Sequence, residues 1–481
     1  MIDFRPVAFV IGILLSILAF AMVLPAIFDA AVANPDWQVF AVAAAITLFV
    51  GVSLMLTTRS GWSGFSLRQA FIMTNLAWLV VAIFGALPLA FSELELSVTD
   101  AFFESMSGIT TTGSTVITGL DFVPPGILLW RSILQWLGGI GIIVMAVSIL
   151  PILQVGGMQL FRVEAFDAEK VLPRAAQIAG GIAIVYLFLT ALAALVLWML
   201  GMSGFEAIAH AMTSIATGGF STSDESIGHF DSAAIEWTVS VLMILGSLPF
   251  VLYLRAVRSN FMVFVRDSQV RLLFAILAIS ILLTAIWLVR NDMADPLDAL
   301  RYSTFNVISV MTGSGFSTTD FGQWGGFVMV LFFVLMFVGG CAGSTTCGIK
   351  IFRFQVLYAT AKIQLHRLIQ PHGIFIPYYN KRPIPETVSD SVMGFFFLFT
   401  ASFAVLAIGL GLMGLDFITA VSGAATAIAN VGPGLGDLIG PSGTFGALPD
   451  LAKWWLAAGM LLGRLELFTV LVLLSRSFWR G

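Results

Sequence analysis

Four short glycine-containing segments recur along the chain, each after a short helical stretch between two long apolar stretches. They are Thr111-Thr112-Gly113-Ser114, Thr217-Gly218-Gly219-Phe220, Gly313-Ser314-Gly315-Phe316 and Gly432-Pro433-Gly434-Leu435. A dehydrated monovalent cation must be held by oxygens that replace its water, and the carbonyls of a non-helical backbone do this. Glycine allows the positive φ angles that turn such carbonyls toward a common axis. The pattern therefore predicts one ion path lined by four copies of the same element.

The predicted fourfold register takes Gly113, Gly219, Gly315 and Gly434 as equivalent. A second set of glycines follows at a nearly constant distance in the next apolar stretch, at Gly138-Gly139, Gly246, Gly339-Gly340 and Gly459. Re-entrant loops that merely pack would not require two sets in register. The residues predicted to contact the ion are Thr111, Thr112, Gly113, Thr217, Gly218, Gly219, Gly313, Ser314, Gly315, Val431, Gly432 and Gly434.

The composition places the chain in a membrane. Hydrophobic residues make up 59% and charged residues 10%, far from the usage of soluble globular domains. Many stretches reach the length of about 20 residues needed to cross hydrocarbon. We predict ten full spans, near residues 7–28, 38–56, 69–91, 126–153, 178–201, 232–257, 270–290, 323–356, 389–414 and 452–475. Four half-length segments, too short to cross, are predicted near residues 98–109, 204–215, 297–311 and 416–429.

We therefore expect an all-α integral membrane protein with two leading spans and four repeats. Each repeat consists of a span, a half-helix, a loop and a second span. The predicted divisions are residues 1–68 for the leading spans and 69–154, 155–258, 259–356 and 357–481 for the repeats. The dipole at the C-terminal end of each half-helix favours a cation, and an acid near the other end suits the N-terminus. These acids are Asp100, Glu206, Asp298 and Asp416.

The distribution of charge predicts the orientation. If the glycine elements face outside, the outer side holds only Arg131, Arg290, Arg301 and Lys453 of the 23 Lys and Arg residues. By the positive-inside rule both termini then lie in the cytoplasm. Most of the 27 Asp and Glu residues fall outside, where acidic mouths concentrate cations.

Two features beneath the glycine elements interrupt the apolar pattern. Residues 339–348 are small, polar and flexible, which favours an unwound loop facing a cavity over a lipid-facing helix. A helix-packing patch of small residues is the alternative. Arg464 is the one basic residue at the middle of a predicted span, so it must be paired or hydrated. Glu466 lies two positions further on and cannot share its helix face, so we expect Glu466 to meet another helix or Lys350.

Three motifs carry a resemblance to a known family: Gln135-Trp-Leu-Gly-Gly-Ile-Gly-Ile-Ile-Val-Met-Ala, Gly339-Gly-Cys-Ala-Gly-Ser-Thr and Gly463-Arg-Leu-Glu. Over nearly its whole length the chain resembles TrkH-type subunits of bacterial potassium uptake systems, in the Trk/Ktr/HKT superfamily. The resemblance implies four M1–P–M2 repeats in pseudo-fourfold arrangement around one pore in the inner membrane. It implies K⁺ as the transported ion, no permanently bound cofactor, a homodimer, and a cytoplasmic TrkA-like ring that binds nucleotides.

The resemblance also implies roles for particular residues. Filter glycine in all four repeats goes with potassium selectivity, whereas serine in the first repeat, at the position of Gly113, goes with sodium permeation. By the same resemblance the loop beneath the filter is a gate, formed here by Gly343, Ser344, Thr345 and Thr346. Arg464 matches an arginine that, in this family, lies in the ion path below the filter.

Other function classes fit the sequence less well. A secondary carrier with inverted repeats and a midplane site is disfavoured because these repeats run parallel, and a purely structural anchor does not explain the glycine register. No Walker loop, dinucleotide fingerprint or metal cluster is present, so we expect neither an enzyme nor a nucleic-acid partner. Potassium uptake coupled to a proton or sodium gradient stays open as the alternative to a channel-like pore.

Overall fold

The computed structural model describes residues 3–59, 66–148, 153, 156–158, 160, 171–258, 260–380 and 382–480. The predicted division between the first and second repeats, at residues 154 and 155, lies outside the described residues. The described chain is almost entirely helical, apart from one antiparallel hairpin of β1 (Tyr378–Tyr379) and β2 (Arg382–Pro383). The expected all-α membrane fold is confirmed.

Seven helices in the described ranges are long and apolar enough to cross a membrane, or nine spans if two bent pairs each count as one. The helices are α1 (Arg5–Ala31), α2 (Asp36–Thr58), α3 (Leu67–Gly85), α4 (Leu87–Phe91), α5 (Val98–Ile109), α6 (Pro125–Ser148), α7 (Val171–Met199), α8 (Gly204–Ile215), α9 (Ala233–Ser247), α10 (Phe250–Arg258), α11 (Met262–Arg266), α12 (Ser268–Arg290), α13 (Pro296–Thr312), α14 (Gly326–Phe337), α15 (Ile351–Ile369), α16 (Glu386–Leu412), α17 (Phe417–Ala429), α18 (Asp450–Arg464), α19 (Phe468–Leu471) and α20 (Arg476–Arg480). Short 3₁₀ turns lie at Leu120–Phe122, Ser226–Phe230, Phe321–Gln323, Phe445–Ala447 and Val472–Leu474.

The four predicted half-helices are confirmed to within one residue, as α5, α8, α13 and α17. Three of them begin at a side-chain cap: the Ser97 hydroxyl accepts from the Asp100 amide (3.1 Å), that of Ser203 from the Glu206 amide (3.2 Å), and the Asp416 carboxylate from the Thr419 amide (3.1 Å). Hydrogen bonds from Thr419 lower the pKa of Asp416. An ionised carboxylate at this end complements the helix dipole.

The two leading spans, α1 and α2, pack through small residues. A Cβ added to Gly12 would lie 2.7 Å from the Gly51 carbonyl oxygen, and one added to Gly51 would lie 2.9 Å from that of Gly12. Such close backbone approach is typical of helix pairs in membranes. The pair packs on α3 and α6 of the first repeat, outside the fourfold unit, as predicted.

The predicted spans at 232–257 and 452–475, the last of the second and fourth repeats, are each divided by a sharp bend, and each counts as one span only if its two helical parts are taken together. Helices α9 and α10 meet at 92°, and α18 meets the turns that follow it at 108°. Pro249, which has no amide to donate, lies in the first break. Glu466 and Leu467, with φ of 62° and 52°, form the second. The apolar pattern continues through both bends, so it could not reveal them.

The last span of the third repeat is broken as expected. Helix α14 ends at Phe337 and α15 begins at Ile351, and the residues between them form an irregular segment. Val338 and Ile349 pair in parallel across the base of this segment. The segment thus forms a closed loop inside the bundle, and most of its residues are buried.

Candidate ion pathway

The four glycine elements share one backbone pattern, which defines the candidate filter. In each, a residue with positive φ is followed two positions later by a glycine with positive φ, the register glycine. The pairs are Thr111 and Gly113 (53° and 90°), Thr217 and Gly219 (50° and 76°), Gly313 and Gly315 (69° and 78°), and Asn430 and Gly432 (51° and 117°). Asparagine is among the few non-glycine residues that adopt this left-handed conformation readily.

The predicted equivalence of Gly434 with the other three is therefore wrong, because Gly432 is the fourth register glycine. Gly434 does not have positive φ, and a Cβ there would lie 2.5 Å from the end of the Ile439 side chain and 3.0 Å from the Ser422 hydroxyl. The two glycines of Gly432-Pro433-Gly434 imitate the spacing of Gly313 and Gly315, which displaced the predicted register by two residues.

The register glycines form a closed ring of contacts between repeats. A Cβ added to any of them would lie within 3.0 Å of a backbone carbonyl of the next repeat. Each of these carbonyls belongs to the residue just before the next register glycine: Gly113 faces Gly218, Gly219 faces Ser314, Gly315 faces Val431, and Gly432 faces Thr112. The contacts run through the repeats in order and return to the first. Four equivalent backbone segments therefore surround one axis, and no side chain fits where they touch.

One layer of carbonyls in this ring is unengaged. Within the described ranges, no hydrogen bond reaches the carbonyl oxygens of Thr111, Thr217, Gly313 or Asn430, the four left-handed residues. Other carbonyls are occupied: that of Gly218 accepts from Gln135 Nε2 at 2.5 Å, and that of Gly432 from the hydroxyls of Ser114 (2.6 Å) and Thr426 (3.0 Å). The unengaged oxygens are the atoms that can replace the water of a cation.

A cavity of about 230 Å³ lies above the ring. All four register glycines line it, together with hydroxyl-bearing residues such as Thr115 and Ser221. Arg131 and Asp224 also reach this cavity, but both are engaged: Arg131 by Glu104, and Asp224 by the amides of Gly119 (2.8 Å) and Leu120 (3.1 Å). The cavity is one mouth of the candidate pathway, and it is the outer mouth if the predicted orientation holds.

Two glycines of the predicted second set, Gly138 and Gly246, let the last helix of a repeat cross its half-helix closely, whereas Gly339 and Gly340 lie against Cys347 and Thr346 of the irregular segment. A Cβ on Gly138 or on Gly246 would lie within 3.0 Å of the carbonyl of Ile109 or Ile215, respectively, at the end of the half-helix. In the fourth repeat this role belongs to Gly463, against the Ile428 carbonyl, and not to the predicted Gly459. Gly459 instead packs against Leu406 and Ala427.

Several residues that support the ring were not predicted from the sequence. The side-chain nitrogen of Asn430, Nδ2, donates to the Thr112 hydroxyl and to the Met460 carbonyl, both at 2.9 Å. It thus joins the fourth and first repeats. Gln135 accepts from the Phe220 amide at 3.0 Å while donating to Gly218. Gln135 opens the first motif, which was the only signal for it. Nothing in the sequence pointed to Asn430 or Thr426.

The irregular segment of the third repeat lies directly beneath the ring. The Thr345 hydroxyl donates to the carbonyls of Ile215 (3.1 Å) and Gly246 (2.9 Å), and Thr217 donates to Thr345 (3.0 Å). Cys347 Sγ lies 3.8 Å from the Thr111 hydroxyl and 3.9 Å from the Thr110 carbonyl. The segment therefore closes on filter residues of the first and second repeats.

The predicted gate residues occupy different parts of this segment. Ser344 and Thr346 share a hydroxyl hydrogen bond at 2.7 Å, and Ser344 also donates to the Cys341 carbonyl at 2.6 Å. Gly343, with φ of 75°, lies at the far turn, where its carbonyl accepts from the Phe250 amide at 2.9 Å. Ser344 and Thr346 thus form hydrogen bonds within the loop, whereas Thr345 forms hydrogen bonds with residues at the filter.

Arg464 is fully buried against the underside of the same loop. Its guanidinium donates to the carbonyls of Thr345 (3.2 Å) and Gly138 (2.7 Å) and to Cys347 Sγ (2.6 Å). The structure therefore brings Arg464 and the predicted loop together, although they lie more than 100 residues apart in the chain. Burial of a guanidinium is costly unless hydrogen bonds such as these replace its lost hydration.

Two more cations lie just below. Lys350 Nζ donates to the Thr346 carbonyl, and Arg353 forms a buried ion pair with Glu466. The expectation that Glu466 meets another helix is thus confirmed, with α15 as that helix and Arg353 as the partner. Lys350, the alternative partner expected for Glu466, donates to the loop instead and was not among the predicted site residues.

Comparison with known proteins agrees with the geometry. The family described as TrkH, a cation transport protein, matches residues 36–480. The Trk system potassium uptake protein TrkI of Halomonas elongata is 46% identical over 477 residues, which cover 99% of this chain and 97% of that protein. TrkH of Vibrio parahaemolyticus is 38% identical over 487 residues, covering 100% of both chains. The crystal structure of the potassium transporter TrkH from Vibrio parahaemolyticus superposes with a TM-score of 0.93 at 37% identity over 100% of both chains.

Gly432, the fourth register glycine, and Gly434, which is not one, give a matched pair of variants. Gly432→Ala should lower potassium flux by roughly tenfold or more, because about 1.4 kcal/mol of strain is one decade of rate and a left-handed clash carries at least that. Gly434→Ala should have a much smaller effect, because the end of the Ile439 side chain can move. Both are measured as potassium uptake into liposomes at equal protein content. Equal losses in the two variants would contradict the register.

Proposed function

The chain belongs to the TrkH family of cation transport proteins, and from this premise we propose that it is a potassium-selective pore for uptake. Potassium is the ion it transports, and the chain is not an enzyme. In this proposal the ring of four glycine elements is the selectivity filter. The loop beneath the ring and Arg464 form the gate.

One observation carries the filter assignment: each register glycine lies against the carbonyl of the next repeat, in an unbroken ring of four. A selective site for a dehydrated ion needs carbonyl oxygens held at fixed separations. Backbone segments that touch without intervening side chains provide such separations. The C-terminal ends of four half-helices add a negative dipole potential at the same place.

The gate proposal rests on charge and position. Arg464 places a positive charge beneath a cation path, and its partners Thr345 and Cys347 belong to the loop that also contacts the filter. Two unit charges about 4 Å apart repel by about 4 kcal/mol at an effective dielectric constant of 20. Opening requires the loop and Arg464 to withdraw together, since each is hydrogen-bonded to the other.

The partner assignments are proposals of the same kind. We propose that the chain works as a homodimer in a bacterial inner membrane, with both termini cytoplasmic, and that a TrkA-like nucleotide-binding ring docks on the basic inner surface. Arg255, Arg271, Lys362, Arg367 and Arg382 are described residues on that surface. The five predicted divisions of the chain, from 1–68 to 357–481, likewise stay predictions.

Uptake coupled to protons or sodium is the second candidate, and flux measurements separate it from a passive pore. Purified protein in liposomes is given a potassium gradient, with and without an opposing proton or sodium gradient. A passive pore equilibrates potassium to the value set by its own gradient and the membrane potential. Accumulation beyond that value, abolished when the second gradient is collapsed, would favour the coupled carrier.

Gly113→Ser tests the filter. A serine Cβ at φ of 90° would collide with the Gly218 carbonyl, so one of the four segments must shift and the carbonyl separations must change. We expect sodium to permeate and the potassium-to-sodium flux ratio to fall by roughly tenfold, the effect of about 1.4 kcal/mol. The matched control is Gly119→Ser, because a Cβ on Gly119 meets nothing within 4 Å despite its φ of 71°. An unchanged ratio in Gly113→Ser would remove Gly113 from the filter.

Arg464→Ala tests the gate. Loss of the guanidinium removes both the charge and the hydrogen bonds that close the loop, so potassium flux without a cytoplasmic partner should rise by more than roughly tenfold. Selectivity should persist, because the filter lies outward of the loop. Arg476→Ala, in the exposed C-terminal helix, is the control. Flux below that of the unmodified protein in a folded Arg464→Ala variant would leave Arg464 as a structural anchor.

Thiol labelling tests the orientation. Lys381, the first choice for an inner label, lies outside the described residues, so Arg382 beside it serves instead. In a background without Cys341 and Cys347, Arg382→Cys should react only from the cytoplasmic side and Asp437→Cys only from outside. Reversed accessibility at either position would overturn the predicted topology.

A further inference from the structure

A buried ion pair lies behind the filter, and neither the gate nor the ion path described above uses it. Glu104 lies in the middle of the first half-helix, and Arg131 lies in α6. Arg131 Nε and Glu104 Oε1 are 2.7 Å apart, and both side chains are at most 1% exposed. Removing two charges from water at this depth is costly unless hydrogen bonds replace the lost hydration.

The hydrogen bonds of this pair go to the two segments that leave the first and second register glycines. Glu104 accepts from the Thr115 hydroxyl (2.9 Å) and from the Val116 amide (2.9 Å). Arg131 donates to the Thr115 hydroxyl (3.2 Å) and to the Ser221 carbonyl (3.0 Å). Thr115 and Ser221 each lie two residues beyond a register glycine, Gly113 and Gly219. The pair therefore ties neighbouring filter segments of two repeats together.

In the other three repeats, the residues at or next to the position of Glu104 form weaker links to the filter segments. Seven residues before the left-handed residue stand Glu104, His210, Asn306 and Gly423. His210 Nε2 is bonded to the Ser221 hydroxyl (3.0 Å) and Asn306 to that of Thr318 (3.0 Å), whereas in the fourth repeat the adjacent Ser422 accepts from the Leu435 amide (2.9 Å). Among the described residues, each of these three forms its hydrogen bonds to a filter segment only within its own repeat. At this position only the first repeat has a carboxylate, and the guanidinium that pairs with it, Arg131, also reaches the Ser221 carbonyl of the second repeat.

We propose that Glu104 and Arg131 are positioning residues that set the ion selectivity of the filter. They act through Thr115 and the Ser221 carbonyl by fixing the separation between the first and second filter segments. The guanidinium also lies 4.1 Å from the centre of the Phe220 ring, next to Gly219, so the second segment is held on two sides. The proposal deepens the proposed function and rests on it.

The charge of the pair predicts different results for its two members. Glu104→Gln leaves an unbalanced positive charge beside a cation mouth, so it should lower potassium flux as well as selectivity. Arg131→Gln leaves no such barrier, so selectivity should fall while total cation flux is kept or raised. In the double variant the charges balance again, and flux should recover while selectivity stays low.

Arg131→Lys is the decisive variant. Lysine keeps the charge but lacks the planar fork that reaches three acceptors at once. The potassium-to-sodium flux ratio in liposomes should fall by roughly tenfold, the scale of one hydrogen bond to a charged group. Arg301→Lys is the matched control, because Arg301 pairs with Glu236 at 3.5 Å in the outer half of the protein without contacting a filter segment. The flux ratio of Arg301→Lys should not change, because the described partners of Arg301 are Glu236, Asp298 and Tyr302, none of which lies in a filter segment.

Thr115→Val carries the test if Arg131→Lys does not fold. It has the same shape as threonine, leaves the ion pair in place, and removes only the hydroxyl that both members hold. A lowered flux ratio in folded Arg131→Lys, or in folded Thr115→Val if Arg131→Lys does not fold, supports the proposal, and an unchanged ratio in that same protein overturns it. If the unmodified protein moves no potassium in the same liposomes, the proposed function fails instead.

Discussion

The close approach of four backbone segments is the constraint on which the rest of the structure depends. At each contact a register glycine lies so near a carbonyl of the next repeat that a Cβ would not fit. The half-helices must therefore end at the axis, and the last helix of a repeat must cross its half-helix closely, which requires glycine at Gly138, Gly246 and Gly463. Side chains such as Gln135, Thr426 and Asn430 then fix the segments from behind, because the segments have no regular secondary structure to hold them.

Buried charge is arranged around this ring in two layers. Above it, Glu104 neutralises Arg131 beside the outer mouth. Below it, Arg464 and Lys350 donate to carbonyls of the irregular loop, while Arg353 is neutralised by Glu466. A charged side chain in a membrane must have partners or water. Arg131 and Arg353 thus have carboxylate partners, whereas Arg464 and Lys350 donate to backbone carbonyls of the loop beneath the ring.

The sequence was informative where composition changes abruptly and uninformative where it does not. The half-helices were predicted to within one residue because each is a short apolar stretch that ends at a glycine element. The irregular loop was predicted because ten consecutive small or polar residues cannot form a lipid-facing helix. The bends after Ser247 and Arg464 were missed because apolar residues continue on both sides. The fourth register glycine was misplaced because a glycine two residues later imitates the pattern, and the link from Glu104 to Arg131 depends on three-dimensional packing alone.

Within the part of the chain that the structure describes, only the third repeat has this irregular loop, and this has an evolutionary consequence. In a channel built from four identical subunits, any mutation appears four times, so a loop that occludes the axis would appear as four loops competing for the same space. Once four copies are joined in a single chain, each copy can diverge separately. The third could then lose its helix between Phe337 and Ile351 while the fourth acquired Arg464 and the first acquired a charged brace. Gene fusion thus permits a pore whose proposed filter keeps its symmetry and whose proposed gate does not.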